Sequence, residues 1–243
     1  MEVTSSMIDF TGGNPKKKAR GFLVKPRVAG RCPAVIVIHE IWGLVDHIKD
    51  VGRRLGAEGY VSLAIDLFDG EVISKLEDGM KMRQKFSEEK ILGDLNGAVN
   101  YLETLDYVNA RGIGSVGFCM GGGLSLLLAC RNAELASAVI FYGRNPSPID
   151  LVKNIKCPIL CNYAGADMGI SESDINLLKQ TLTKYSKVFD MKVYPGAPHA
   201  FFNDTRDNYR PDAAKDAWKR TLEFFNKYLR VSEQEAHKRT QRR

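Results

Sequence analysis

A chain of 243 residues, 44% apolar and 26% charged, has the composition of an ordinary globular protein and the length of one large domain with a substantial core. No apolar run approaches the roughly 20 residues that cross a bilayer, and residues 1–6 lack the basic and apolar regions of a signal peptide, so a cytoplasmic protein with no membrane contact is expected. The net charge of +6 does not describe a nucleic-acid groove: Lys16, Lys17, Lys18, Arg20 and five Lys or Arg within 230–243 account for it, leaving the body of the chain near neutral.

Strand-length apolar runs alternate with segments of helical period, the pattern of a mostly parallel sheet covered by helices. Residues 21–25 (GFLVK) are a candidate early strand. Residues 34–39 (AVIVIH) are largely β-branched, as in a strand buried on both faces. A helix follows over 46–58 with Gly59 as its stop, then a strand over 61–65 that ends at Asp66. The polar, aperiodic stretch 67–89 reads as a loop with a helix in it. Leu92, Leu95, Val99 and Leu102 form the apolar stripe of a helix over 91–105. A strand over 113–118 runs into a small-residue helix over 121–129. Further strands are expected at 138–141, 159–164 and 191–194, with a helix over 171–185 between the last two. A final helix over 211–228 turns Trp218, Leu222 and Phe225 inward. Without a repeat or linker, residues 1–229 read as one α/β domain and 230–243 as a basic tail that frays.

Five cysteines, an odd number with no secretory signal, argue against a disulfide framework. Cys157 and Cys161 sit in a strand-like segment with no second Cys/His pair at finger spacing, so no metal site is expected. With Cys32 and Cys130 they read as small buried hydrophobes. Cys119 is different. Gly117-Phe118-Cys119-Met120-Gly121 stands where a buried strand passes into a helix, the arrangement of a nucleophile elbow with Cys in place of the usual Ser. Such a turn projects the side chain above the sheet, and the helix N-terminus favours a thiolate. A cysteine placed there for packing alone is the competing reading. Gly121-Gly122-Gly123 also invites a phosphate-loop reading, but no Gly-Lys-Ser/Thr follows and no G-x-G-x-x-G with a downstream acid is present.

Nucleophile, acid, histidine is the chain order of an α/β-hydrolase triad. Asp167 follows the strand over 159–164 and His199 the strand over 191–194, each at a carboxyl end, where functional groups of open α/β sheets gather. Asp167 as a turn-former or helix cap, and His199 as a loop histidine, are the alternatives; Ser171 and Ser173 offer themselves as caps instead. His47 and His237 compete poorly as bases, and His39 reads as a support for its loop. His39-Glu40-Ile41-Trp42-Gly43 follows the strand over 34–39, where the second oxyanion amide belongs, which makes the N–H groups of Ile41 and Met120 candidate donors. A carboxylate at Glu40 would repel a developing oxyanion, so it needs a cationic neighbour or a part in controlling the protonation of Cys119. Trp42, Phe118, Tyr142, Phe201 and Phe202 are candidates for pocket walls and equally for core.

These blocks together (HEIWG at 39–43, GFCMGG at 117–122 and PHAF at 198–201) resemble the dienelactone hydrolase, or carboxymethylenebutenolidase, family over residues 21–229. The resemblance implies an α/β-hydrolase fold, a mostly parallel central sheet flanked by helices on both faces. It also implies a Cys119–Asp167–His199 triad, with Glu40 helping to generate the thiolate once substrate is bound. The implied substrate is a small lactone or ester, with no cofactor, no metal and no nucleic-acid partner, in a monomer or homodimer. One departure stands out. The family's carboxylate-binding arginine shortly after the catalytic histidine is replaced here by Asn203, the first arginine being Arg206, and an asparagine offers no charged bidentate grip. Arg83 is the candidate for the family's other carboxylate-binding arginine. The expected activity is lactone opening or activated-ester cleavage through a thioester. A broad esterase or thioesterase and a non-catalytic ligand-binding homologue are the alternatives.

Overall fold

The computed structural model describes residues 1–14 and 16–230. Eight strands, β1 (Val3–Phe10), β2 (Ala19–Pro26), β3 (Cys32–Ile38), β4 (Val61–Asp66), β5 (Val108–Phe118), β6 (Ser137–Phe141), β7 (Ile159–Ala164) and β8 (Phe189–Tyr194), form one sheet in the order β1-β2-β4-β3-β5-β6-β7-β8. β2 runs antiparallel to both β1 and β4, and every other neighbour pair is parallel. The described residues form six α-helices, of which α1, α3, α4 and α6 pack on the sheet: α1 (Asp46–Ala57), α2 (Leu76–Gln84), α3 (Glu88–Glu103), α4 (Met120–Arg131), α5 (Glu172–Lys184) and α6 (Pro211–Leu229). This is the α/β-hydrolase fold. Every residue of β3 and β4 is buried, as apolar strands covered on both faces must be. No helix among the described residues is long and apolar enough to cross a membrane.

Register places the site. Ile38, Gly117, Ile140, Cys161 and Met191 form one row across β3, β5, β6, β7 and β8. Because these five strands are parallel, the chain leaves all of them in the same direction just beyond that row. Glu40, Cys119 and Tyr142 each lie two residues past it, and Asp167 and His199 follow in the next loops.

Three elements depart from the expectation. β1 is an additional strand, paired with β2 from Val3 opposite Pro26 to Phe10 opposite Ala19; as an edge strand with Thr4–Met7 exposed, it lacks the apolar alternation that marks a half-buried strand. β5 begins five residues before the expected 113, because Ala110 and Arg111 extend past the helical cover and are exposed. A 3-10 helix over Ile149–Asn154 joins β6 to β7. In α6, Ala214, Ala217, Thr221, Phe224 and Phe225 form the buried face, with Trp218 and Leu222 half-buried beside it. The fraying expected for 230–243 concerns, beyond Arg230, residues outside those described. Arg230, the first residue of that segment, is held: its guanidinium donates to the Glu58 carbonyl and lies 4.7 Å over the Tyr60 ring. A cation at a helix end with an aromatic face and a free carbonyl beside it has reason to stay.

Candidate active site

Cys119 is the residue before α4 and adopts φ 54°, ψ −113°, a conformation disfavoured for any side chain. Two glycines make the turn possible. A Cβ on Gly117 would lie 1.9 Å from the Gly121 carbonyl oxygen, and one on Gly121 would lie 2.2 Å from that of Ile38. The first turn of α4 therefore rests on both the end of β5 and the end of β3. Cys119 is the one half-exposed cysteine; burial pushes the Cys130 and Cys161 thiols up to about 12, so neither supplies a thiolate near neutrality.

His199 and Asp167 converge on the same edge. His199 Nδ1 lies 2.6 Å from Asp167 Oδ2, while Asp167 Oδ1 accepts from the Gly169 and Ile170 amides at 2.8 and 3.1 Å. Helix capping falls to Ser171, which forms a capping box with Asp174 and leaves Asp167 for His199. Burial opposes the charge on Asp167, but the His199 and Gly169 hydrogen bonds outweigh it and hold the carboxyl below its usual range. Burial likewise opposes a charge on His199. The Asp167 hydrogen bond and the Cys119 thiol within hydrogen-bonding reach overcome it, raising the imidazole to about 10.

Glu40 is 1% exposed. Its Oε2 accepts from Asn203 Nδ2, and its Oε1 has no hydrogen-bond partner among the described residues. Burial pushes this carboxyl up, offset only in part by the Asn203 hydrogen bond and the charges of His199 and Arg206. Asn203 Oδ1 is taken up by the Thr205 amide and hydroxyl at 3.0 and 2.7 Å, so both ends of the Asn203 amide are engaged. The N–H groups of Ile41 and Met120 donate to no protein group among the described residues. α2 sits on the Ile41 backbone, where a Cβ on Gly79 would lie 2.9 Å from the Ile41 carbonyl oxygen.

The remaining candidates divide. Trp42 is half-buried and carries the Arg206 guanidinium 4.1 Å over its ring. Tyr142 is fully buried, at φ 39°, with its ring 5.0 Å from that of His199 and its hydroxyl near the Phe202 backbone. Burial, together with the charges of Glu40 and Cys119, raises its phenol well above 10. Phe118, Phe201 and Phe202 are buried in a cluster of rings around Phe141, with centroid separations of 4.7 to 6.4 Å. The Arg83 guanidinium donates to the Phe86 carbonyl at 2.9 Å, just past the end of its own helix. Arg206 is the cation that the sequence left without a role, and only the fold reveals the aromatic face beneath it. No cluster of three or more His, Cys, Asp or Glu suited to a metal ion is found among the described residues.

Comparison with known proteins agrees with this fold. The model of the family described as "Dienelactone hydrolase family" matches residues 19–229. A protein of Saccharolobus solfataricus named "Putative carboxymethylenebutenolidase" is 38% identical, over 86% of this chain and 94% of its own length. A Bradyrhizobium protein named "Probable 2-oxo-3-(5-oxofuran-2-ylidene)propanoate lactonase" is 35% identical, over 86% of this chain and 89% of its own. Among solved structures, one from Klebsiella pneumoniae titled "Putative Dienelactone Hydrolase" superposes with a TM-score of 0.88 at 28% identity, covering 94% of this chain and all of the other.

Two outcomes are expected from this geometry. Gly117→Ala forces β5 and α4 apart and should cost about 1–3 kcal/mol in denaturant unfolding. Gly123→Ala, whose Cβ would lie 3.2 Å from the Arg144 carbonyl oxygen, should cost less, because alanine gains about 1 kcal/mol of helix propensity there. Second, an imidazole raised from 6.5 to about 10 by folding contributes its stability in full below pH 6.5 and loses it as pH rises through 10. The stability difference between wild type and His199→Asn, measured by urea unfolding, should be largest near pH 6 and shrink towards pH 10.5.

Proposed function

Because the chain belongs to the dienelactone hydrolase family and is a hydrolase of that family's type, we propose that Cys119 opens a lactone or cleaves an activated ester through a thioester intermediate. One observation carries this reading. The half-exposed thiol at the N-terminus of α4 stands within reach of an imidazole that is itself held at 2.6 Å by a buried carboxylate.

The chemistry follows from these positions. A Cys119 thiolate facing a protonated His199 attacks the substrate carbonyl carbon; the C–S bond forms and the carbonyl electrons move to oxygen. Ile41 and Met120 N–H groups, unspent within the protein, donate to that oxyanion, an effect of about 3–4 kcal/mol per strong donor. Collapse breaks the bond to the ester oxygen, which takes the proton of His199 as it leaves. Acylation removes the negative charge from Cys119 and with it one support of the raised His199 pKa. The now neutral imidazole takes a proton from water, the hydroxide adds to the thioester, and the thiolate departs to regenerate the starting pair. Asp167 keeps the imidazole oriented and stabilises its charged form throughout.

Glu40 is a second place for the thiol proton. A carboxyl raised by burial is a stronger base than an exposed one, and its Oε1 is unpartnered. Its neutral neighbour Asn203 offsets that basicity only in part. Since both ends of the Asn203 amide are occupied, residue 203 does not grip a substrate carboxylate, and lactones or activated esters without one fall within the expected range. The lactonase name of the Bradyrhizobium relative supports the lactone class.

The test compares kcat/KM on a panel of lactones and p-nitrophenyl esters, with mass spectrometry of acid-quenched enzyme. Cys119→Ala should lose at least about 10³-fold, and Asp167→Asn about 10²–10⁴-fold in kcat. An acyl adduct should map to Cys119. Wild-type turnover by Cys119→Ala would remove the nucleophile assignment, and equal turnover of lactones and simple aryl esters would favour the broad esterase reading.

A further inference from the structure

His39 is completely buried, yet both of its ring nitrogens are engaged by backbone. Nε2 lies 3.1 Å from the Leu67 amide nitrogen, and Nδ1 lies 2.5 Å from the Glu40 carbonyl oxygen. An amide N–H can only donate, so Nε2 carries the lone pair and the single proton of the neutral ring is on Nδ1. That proton is donated to the Glu40 carbonyl. The Phe68 ring, edge-on with centroids 4.9 Å apart, limits rotation of the imidazole. Burial keeps the ring neutral by lowering its pKa to about 4, against the smaller upward pull of the Glu40 carbonyl.

The Glu40 carbonyl and the Ile41 N–H belong to one peptide unit, which is planar and trans, so the two point in opposite directions. Drawing the carbonyl inward to His39 turns the N–H outward, where it meets no protein acceptor among the described residues. The adjoining backbone is also the surface on which α4 rests, since a Cβ on Gly121 would lie 2.6 Å from the His39 carbonyl oxygen. We propose that His39 is the positioning residue of the oxyanion hole: a neutral imidazole, its tautomer set by Leu67 N–H, clamps the Glu40 carbonyl and so aims the Ile41 N–H at the reacting carbonyl oxygen. The inference rests on the reading of Ile41 as an oxyanion donor and adds to it a residue that touches neither substrate nor the reacting atoms.

The experiment uses two variants of matching shape. In His39→Asn, Nδ2 stands where the imidazole Nδ1 stood and can still donate to Glu40; His39→Leu has the same outline and no donor. Both lose the acceptor for Leu67 N–H, so that effect cancels between them. Three quantities are measured: kcat and KM on an activated ester, the rate of Cys119 alkylation by iodoacetamide, and the thermal melting curve. Alkylation displaces iodide at a saturated carbon and forms no oxyanion, so it reports the thiolate without the hole.

Removing an oxyanion donor outright costs about 10²–10³-fold in kcat, and a misdirected one should cost about 10–10²-fold. His39→Leu is therefore expected to lose kcat by that factor with KM and alkylation rate within about threefold of wild type, and His39→Asn to recover most of the loss. A folded His39→Leu with kcat near wild type overturns the proposal. So does a fall in alkylation that tracks the fall in kcat, or an Asn variant no better than Leu. Should the Leu variant fail to fold, His39→Asn alone decides, since a hundredfold loss of kcat with normal alkylation in a variant that keeps the clamp also overturns it. Retained turnover in Cys119→Ala would instead remove the catalytic reading beneath, a result independent of both His39 variants.

Discussion

The site depends on backbone resting directly on backbone where β5 turns into α4. Cys119 donates its N–H to the Phe141 carbonyl at 3.1 Å, tying the turn to β6. On the other side the first turn of α4 abuts the carbonyls of Ile38 and His39 at the end of β3. Wedged between two strand ends, the turn cannot relax, and a positive φ at Cys119 that costs on the order of 1–3 kcal/mol persists because its neighbours over-determine it. Three of the five non-glycine residues at positive φ, Cys119, Tyr142 and Ala200, fall at this edge. The strain is concentrated where side chains must be projected out of a sheet.

Two carboxyl groups at this edge are pushed in opposite directions by their surroundings. Asp167 has a cationic imidazole on one oxygen and two backbone amides on the other, and the four-way balance keeps it ionised in spite of burial. Glu40 has one neutral amide and a bare oxygen, and burial prevails. Similar chemistry in dissimilar shells thus gives one carboxyl a lowered pKa and the other a raised one. An arginine at position 203 would place a formal charge against Glu40 and hold its carboxyl low. Asparagine keeps the geometry of a contact and removes the charge.

Much of this was legible in the sequence, and the remainder was hidden for definable reasons. The parallel core strands announce themselves because burial on both faces demands continuous apolar runs, and strand ends then locate Cys119, Asp167 and His199. β1 was illegible because an exposed edge strand is held by its ladder with β2 rather than by apolar alternation. The competition between Ser171 and Asp167 for the cap of α5 could be posed from spacing and was decided by geometry. Arg83 and Arg206 illustrate the limit. Both are arginines in polar segments, and nothing in their immediate sequence says that one folds back on the Phe86 carbonyl while the other lies across Trp42, more than 160 residues away in the chain.

The loop after β8 shows how positioning and chemistry can share one short stretch. His199 faces the thiol, Phe201 and Phe202 are sunk among Phe141, Tyr142 and Phe118, and Asn203 reaches Glu40. A turn closes from Asn203 N–H to the Ala200 carbonyl at 3.0 Å, and Arg210 N–H returns to the Phe201 carbonyl at 2.9 Å. Asn208 donates to the His199 carbonyl at 2.9 Å, so His199 is gripped by its own loop as well as by Asp167. The two buried rings fix the loop in depth, and residues on either side of them are thereby fixed in direction. The imidazole and the partner of Glu40 consequently move together or not at all. A displacement of this loop that drew His199 from Cys119 would also strip Glu40 of its one hydrogen bond, leaving a fully unsatisfied buried carboxyl. That cost opposes the displacement, and it makes the basicity of Glu40 and the placement of His199 two consequences of the same packing.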